Sequence, residues 1–129
     1  MKLNPIPFMI ATLKAIPGLT GVQVSSTLIN HQIGDSAIEV TLAPGGKRVV
    51  HNRMDAFRFT LDHYGPSKKA AGDQAFLVRE YLLENLPGTY RNGIAVDEVK
   101  EDDLPWEIID PESREQRFIH RITIYLYQY

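Results

Sequence analysis

Residues 117–127, with the sequence RFIHRITIYLY, form the strongest strand pattern in the chain. Most of these residues are β-branched or aromatic, types that favour strands, and polar side chains recur at odd-numbered positions. Alternate residues of a strand point to opposite faces of a sheet. The pattern therefore predicts a strand inside a sheet. The side chains expected on its core face are Phe118, His120, Ile122, Ile124 and Leu126.

Other segments show weaker or shorter versions of the same pattern. Apolar and polar residues alternate in 37–42 and in 55–63, which we interpret as two further strands. Less regular alternation predicts strands at 21–27 and 93–99, and 104–111 is interpreted as a loop or a short bent strand. The sheet should therefore contain about five strands.

Two segments have helical spacing instead. A first helix is predicted over 5–16, because prolines suit its first turn and Pro17-Gly18 ends it. The main helix begins after Gly65-Pro66-Ser67 and ends at Leu86-Pro87-Gly88. Apolar residues recur along it at intervals of three or four, so they form one stripe. The residues of this stripe are Ala71, Ala75, Val78, Leu82 and Leu86.

The order of these elements predicts the fold class. Neighbouring strands are joined by short turns, which favours a mostly antiparallel or mixed sheet of about five strands. Two helices would cover one face of that sheet, giving an α+β fold in a single domain over residues 1–129. The segment 42–54 contains the turn Pro44-Gly45-Gly46-Lys47 and is interpreted as a projecting β-arm or long hairpin.

Composition excludes several classes of protein. The chain has no cysteine, which excludes disulfides, thiolate zinc sites and cysteine nucleophiles. Its net charge of −2 argues against nucleic-acid or anionic-membrane binding through a basic patch. No apolar run approaches the roughly 20 residues needed to span a bilayer, and no signal peptide is expected. We expect a protein made in the cytoplasm, with no membrane partner.

No motif in the chain predicts a reacting centre. The four histidines lack the spacing of a metal site, and residues 97–103 lack the ligand pattern of a calcium loop. His120 is expected to be a hydrogen-bonded core histidine rather than a ligand or base. His63 stands beside Asp62, but adjacent strand residues point to opposite faces. The chain is therefore predicted to have no catalytic residue, metal or cofactor.

The residues that suggest contacts with other molecules lie on predicted surfaces. Arginine and tyrosine are enriched at protein interfaces, and a lone hairpin is marginal in water without a partner. Trp106 either covers the edge of the sheet or anchors a contact, and the arm is either solvated or bound by a partner. The candidate interface residues are basic in the arm, acidic after residue 96 and aromatic or basic near the C-terminus: Lys47, Arg48, Arg53, Asp97, Glu98, Glu101, Asp102, Asp103, Trp106, Arg121, Tyr125 and Tyr127.

Three segments together resemble a known family. They are AIPGLTGVQV at 15–24, DAFRFTLDHYGPSKKAAGDQAFLVREYLLENLPG at 55–88, and LPWEIIDPESREQRFIHRITIYLY at 104–127. In their order and spacing they resemble the tail terminator proteins, also called tail completion or minor tail proteins, of long-tailed bacteriophages. The similarity extends over nearly the whole chain.

The resemblance implies a virion structural protein without catalysis. Members of the family form a ring, typically a hexamer, that caps the tail tube, stops its polymerisation and joins tail to neck. The implied partners are copies of the same chain, the tail-tube protein and the head-completion or connector protein, and DNA passes through the bore without specific binding. A ring needs two different patches that meet head to tail, for which the basic arm and the acidic stretch are candidates.

Two alternatives remain open at this stage. One is a head-completion or connector protein of the phage neck. The other is a small enzyme or ligand-binding α+β domain that uses His63 or His120 with a nearby carboxylate.

Overall fold

The structure is a computed structural model that describes residues 3–50, 54–112 and 114–129, with only the backbone at Val50. Two α-helices and seven β-strands follow one another along the chain. They are α1 (Pro5–Lys14), β1 (Gln23–Ser25), β2 (Ala37–Leu42), β3 (Lys47–Val50), β4 (Met54–Tyr64), α2 (Lys68–Glu84), β5 (Tyr90–Arg91), β6 (Ile94–Ile109) and β7 (Gln116–Gln128).

All seven strands join one sheet. Its order is β1-β2-β4-β7-β6-β5, and β3 pairs with β4 beside β2. Only the β1–β2 pair is parallel among these pairings. The predicted α+β class with a mixed sheet is therefore confirmed, with slightly more strands than expected. The predicted final strand is β7, which lies between β4 and β6.

Polar side chains cap the two helices at their first residues. The Asn4 side chain accepts a hydrogen bond from the Ile6 amide at 3.1 Å, and Ser67 accepts one from the Ala70 amide at 3.1 Å. Such caps satisfy amides that the helix itself leaves without a partner, and each stabilises a helix by about 1 kcal/mol. Pro5 occupies the first turn of α1, where its missing amide hydrogen costs little.

Both helices pack on the same face of the sheet, called here the helix-covered face. Its residues are the even-numbered ones of β7 and the odd-numbered ones of β4, because Ile122 is paired with Phe59 and His120 with Leu61. Met9 and Leu13 of α1 and Val78 and Leu82 of α2 complete this core. All five residues of the predicted stripe on the main helix are buried: Ala71, Ala75, Val78, Leu82 and Leu86.

The predicted hairpin over 42–54 extends one side of the sheet. Strands β2 and β3 run along the same edge of β4, with residues 43–46 between them. On its other edge β4 pairs with β7 as far as Met54 and Tyr127. The arm is therefore part of the sheet, because its strand β3 pairs with β4. Residues 51–53, at the turn, lie outside the described residues.

Strand β6 differs from its prediction. It continues from Ile94 to Ile109, where a strand over 93–99 and then a loop or short bent strand were expected. Its register against β7 shifts between Val96 and Glu98, between Glu101 and Asp103, and between Asp103 and Trp106. Pro105 falls within the last of these shifts. A proline is tolerated at such a bulge in an edge strand, because no ladder hydrogen bond needs its amide.

Candidate functional site

The second face of the sheet carries most of the predicted contact residues. Neither helix packs on this side, called here the open face, which includes the odd-numbered residues of β7. The Arg121 guanidinium lies over the Trp106 ring, 5.8 Å from its centre, and the Lys100 ammonium lies 5.9 Å from the centre of the Tyr125 ring. Cation–π contacts of this kind hold the basic groups against aromatic surface.

The predicted acidic stretch is divided between the two faces by the alternation and bulges of β6. Glu101 points to the helix-covered face, where its carboxylate accepts hydrogen bonds from Arg79 of α2, one of them 2.9 Å from Nη2 to Oε1. His120 Nε2 lies 2.9 Å from Glu101 Oε2. The Arg79 guanidinium lowers the pKa of Glu101, so this carboxylate is ionised. Glu101 therefore joins α2 to the sheet.

Asp102 and Asp103 lie on the open side and have partners within the chain. The Thr123 hydroxyl donates to Asp102 Oδ2 at 2.6 Å, and Arg58 Nη2 donates to Asp102 Oδ1 at 3.4 Å. Asp103 Oδ2 is 3.9 Å from Arg121 Nη1, and both of these side chains are about half exposed. Exposed ion pairs of this length contribute little to stability, so these groups can exchange partners at low cost.

Asp97 and Glu98 are the freest part of the acidic stretch. Both are exposed, and within residues 3–50, 54–112 and 114–129 neither forms an ion pair. They lie near the start of β6, whose far edge pairs only with β5, at Ile94 and Ala95. This corner of the sheet therefore presents negative charge to solvent.

The basic end of the hairpin lies at the opposite edge of the sheet. Arg48 Nε and Nη2 donate to the Asp55 carboxylate at 2.5 and 3.1 Å, and this contact lowers the pKa of Asp55. Lys47 is exposed and has no ion pair to another described residue. Arg53 lies outside the described residues. Between 42–48 and 55–58 the surface forms an open depression of about 560 Å³.

An aromatic cluster near the C-terminus adds exposed tyrosines to the predicted contact residues. Tyr90 and Tyr129 are 74% and 67% exposed, and their rings meet edge to face with centres 5.8 Å apart. With Ala95 and Tyr127 they line a depression of about 270 Å³. Tyr127 is one of the predicted contact residues, whereas Tyr90 is not. The dipeptide Asn92-Gly93 is typical of tight hairpin turns and could have predicted that β5, which contains Tyr90, pairs with β6.

The two histidines considered as catalytic candidates are inside the protein. His63 and His120 are both 0% exposed, and burial lowers the pKa of His63 to about 3. Neither lines the depression between 42–48 and 55–58 or the one at Tyr90, Ala95, Tyr127 and Tyr129. Asp62 lies on the open face, so it does not pair with His63, as the alternation predicts. His120 does meet a carboxylate, Glu101, but at the interface between α2 and the sheet.

Comparisons with known proteins add no family. No model of a known protein family matches the chain, and no curated protein matches it either.

Within the described residues no group of three or more histidine, aspartate or glutamate side chains is arranged to hold a metal ion. Neither described helix has the length and apolar character needed to cross a bilayer.

Proposed function

We propose that this protein is a virion structural protein, a tail terminator of a long-tailed bacteriophage. In this role it forms a ring of six copies that caps the tail tube, stops its polymerisation and joins tail to neck. The resemblance of the three segments at 15–24, 55–88 and 104–127 is what supports this family. The observation that carries ring assembly is the opposite charge of two corners at opposite edges of one sheet.

A ring requires two different patches that face away from each other, so that each copy meets the next head to tail. Lys47 lies on β3 at one edge, and Asp97 and Glu98 lie on β6 at the other, with β4 and β7 between them. Each of these three side chains is exposed. Opposite charges on the two patches would orient neighbouring copies and discourage wrong pairing.

The open face suits the passage of DNA. Affinity for DNA comes from lysine and arginine that neutralise phosphates. On the open face Arg58 and Arg121 lie beside Asp102 and Asp103, and Lys100 lies against the Tyr125 ring. The negative charge of Asp102 and Asp103 offsets the positive charge of the two arginines, so a bore lined by this face would attract passing phosphates only weakly.

A charge-reversal experiment tests the proposed contact. Lys47→Glu makes both patches acidic, and Asp97→Lys with Glu98→Lys makes both basic, so neither variant should form rings alone. Mixed together, the two variants should form rings in which they alternate, because each patch then meets its opposite. Glu84→Lys, an exposed change on α2, is the matched control and should assemble like the unchanged protein.

The role at the tail is tested separately with the tail-tube protein. The unchanged protein should stop tube growth at one end, as seen in electron micrographs of tubes grown with and without it. Rings that form but never stop tubes would contradict the terminator role and leave the contact intact. A position against the portal in a cryo-EM map of the neck would favour the connector alternative.

A further inference from the structure

A line of buried and partly buried polar groups lies between α2 and the sheet. At one end, the Gln74 amide nitrogen donates to the Ala37 carbonyl at 3.1 Å and lies 3.2 Å from His63 Nδ1. At the other end, His120 Nε2 lies 2.9 Å from Glu101, which is also held by Arg79. Gln74 and Arg79 both belong to α2, so the helix is tied to the sheet at both ends of this line.

The hydrogen bonds fix the tautomers of the two histidines. The Gln74 amide nitrogen is a donor only, so His63 Nδ1 accepts and the proton of neutral His63 is on Nε2. The Glu101 carboxylate is an acceptor only, so neutral His120 carries its proton on Nε2 and has a bare Nδ1. This leaves His63 Nε2–H without an acceptor and His120 Nδ1 without a donor, both buried.

These two groups belong to neighbouring side chains on the same face. His63 is paired with Phe118 and His120 with Leu61, so the two histidines are diagonal neighbours on β4 and β7. Diagonal neighbours lie within reach of long side chains, and a buried donor without a partner is costly. The donor of one ring and the acceptor of the other are therefore complementary.

We propose that His63 and His120 form an acid-sensitive clasp for α2, in which one buried water accepts from His63 Nε2–H and donates to His120 Nδ1, since neither atom has a direct partner among the described residues. Protonation of His120 would turn Nδ1 into a donor, so it could no longer accept from this water. Protonation of His63 would place a donor against the Gln74 amide. Either event breaks the line and loosens the helix from the sheet.

Some charged groups around the clasp raise the pKa of His120 and others lower it. Glu101 and Asp102 of β6 favour a charged His120, whereas Arg79 of α2 opposes it. The neighbours of His63 are uncharged: Gln74 of α2 is an amide, and Ile38 is the residue of β2 that is paired with His63. Burial outweighs the carboxylates, because the pKa of each histidine is below its ordinary value. The clasp is therefore closed at neutral pH.

Nuclear magnetic resonance of the unchanged protein tests the tautomers. Long-range nitrogen–proton correlation at about pH 7.5 should show both rings protonated at Nε2 and bare at Nδ1. A proton on Nδ1 of either ring would overturn the clasp. This measurement needs no variant, so it decides the question even if substitutions prevent folding.

Amide hydrogen exchange tests the opening of the helix. Between about pH 6.5 and 5, opening of α2 should rise roughly 15-fold when the open state protonates His63, whose pKa in the closed state is about 3, and further when it also protonates His120. Residues of α1 should change much less. In the double variant His63→Asn, His120→Gln the rise should largely disappear, whereas the control His31→Gln should keep it. Equal changes in α1 and α2, or an undiminished rise in the folded double variant, would contradict the clasp.

Discussion

The helix-covered face and the open face of this sheet are built from the same strands but differ in burial and in composition. On β7, Ile122, Ile124 and Leu126 are at most 2% exposed against the helices. The alternating residues Arg121, Thr123 and Tyr125 belong to the open face. Apolar burial supplies most of the free energy of folding, whereas exposed charges supply little. The difference teaches that the two faces of one strand can be substituted with very different costs in stability.

Strand β6 repeats this contrast over a few residues. Glu101 is held by Arg79 and His120 on the helix-covered face, and its side chain is 18% exposed. Asp97, in the same acidic stretch, is exposed and has no ion pair among the described side chains. Two residues of equal charge therefore differ in their contacts, and substitutions at Glu101 and Asp97 should differ in their effect on stability.

The largest expected effect is on the helix-covered face. Leu82→Ala removes a side chain that is 0% exposed and should lower the free energy of unfolding by about 3 kcal/mol. Leu77→Ala, on the same helix but 40% exposed, should cost less than about 1 kcal/mol. Urea unfolding measures both. Equal losses would show that α2 does not bury the face assigned to it.

The second-largest expected effect is a loss of stability in acid, caused by a buried histidine of the helix-covered face. Burial lowers the pKa of His63 from 6.5 to about 3, so between these values the unfolded chain binds a proton that the folded chain does not. Stability is therefore full above the higher value and falls with pH below it, by about 1.4 kcal/mol per pH unit for this histidine. Urea midpoints measured across this range check the slope.

Carboxylates modify this slope in known directions. The lowered pKa values of Glu101 and Asp55 add a further loss of stability at lower pH, when the unfolded carboxylates take up protons. Burial raises the pKa of Asp62, which acts in the opposite sense. A flat midpoint down to about pH 5 would contradict a buried, neutral His63.

Two acidic residues of β6 give a smaller contrast. Glu101→Gln weakens the bonds to Arg79 and His120 and should cost about 1–2 kcal/mol. Asp97→Asn should change the free energy of unfolding by less than about 0.5 kcal/mol. The ring assembly of the Asp97 variant should be impaired, while that of the Glu101 variant should follow its stability alone. The reverse result would exchange the roles given to the two residues.

The smallest effect is expected on the open face. Arg121→Ala should leave the free energy of unfolding within about 0.5 kcal/mol, because its ion pair to Asp103 is half exposed. Removing the guanidinium uncovers the Trp106 ring, so tryptophan fluorescence should shift to longer wavelength. Trp106 is the only tryptophan of the chain, so the signal has one source. A loss of several kcal/mol would mean that the open face is part of the core.

Periodicity predicted the elements whose apolar pattern is local. Strand β7 and helix α2 follow directly from spacings of two and of three or four, and the predicted stripe of α2 is buried as expected. The predicted place of His120 on the core face is also confirmed, since it is 0% exposed and bonded to Glu101.

The missed features depend on contacts that spacing does not reveal. Strand β6 carries acidic residues and Pro105, which locally disfavour a strand, but its pairing with β7 overrides them. Its bulges decide which acidic side chain faces α2, and Arg79, the partner of Glu101, lies 22 residues away along the chain. The interface residues themselves stay a prediction until copies of the chain are seen together.

The most direct test of assembly is the mass of the unchanged protein in native mass spectrometry, alone and with the tail-tube protein. The proposed ring predicts a closed species of about six times the 14.6 kDa chain, which binds the end of a tube. A monomer at every concentration, with and without the tube protein, would contradict the account.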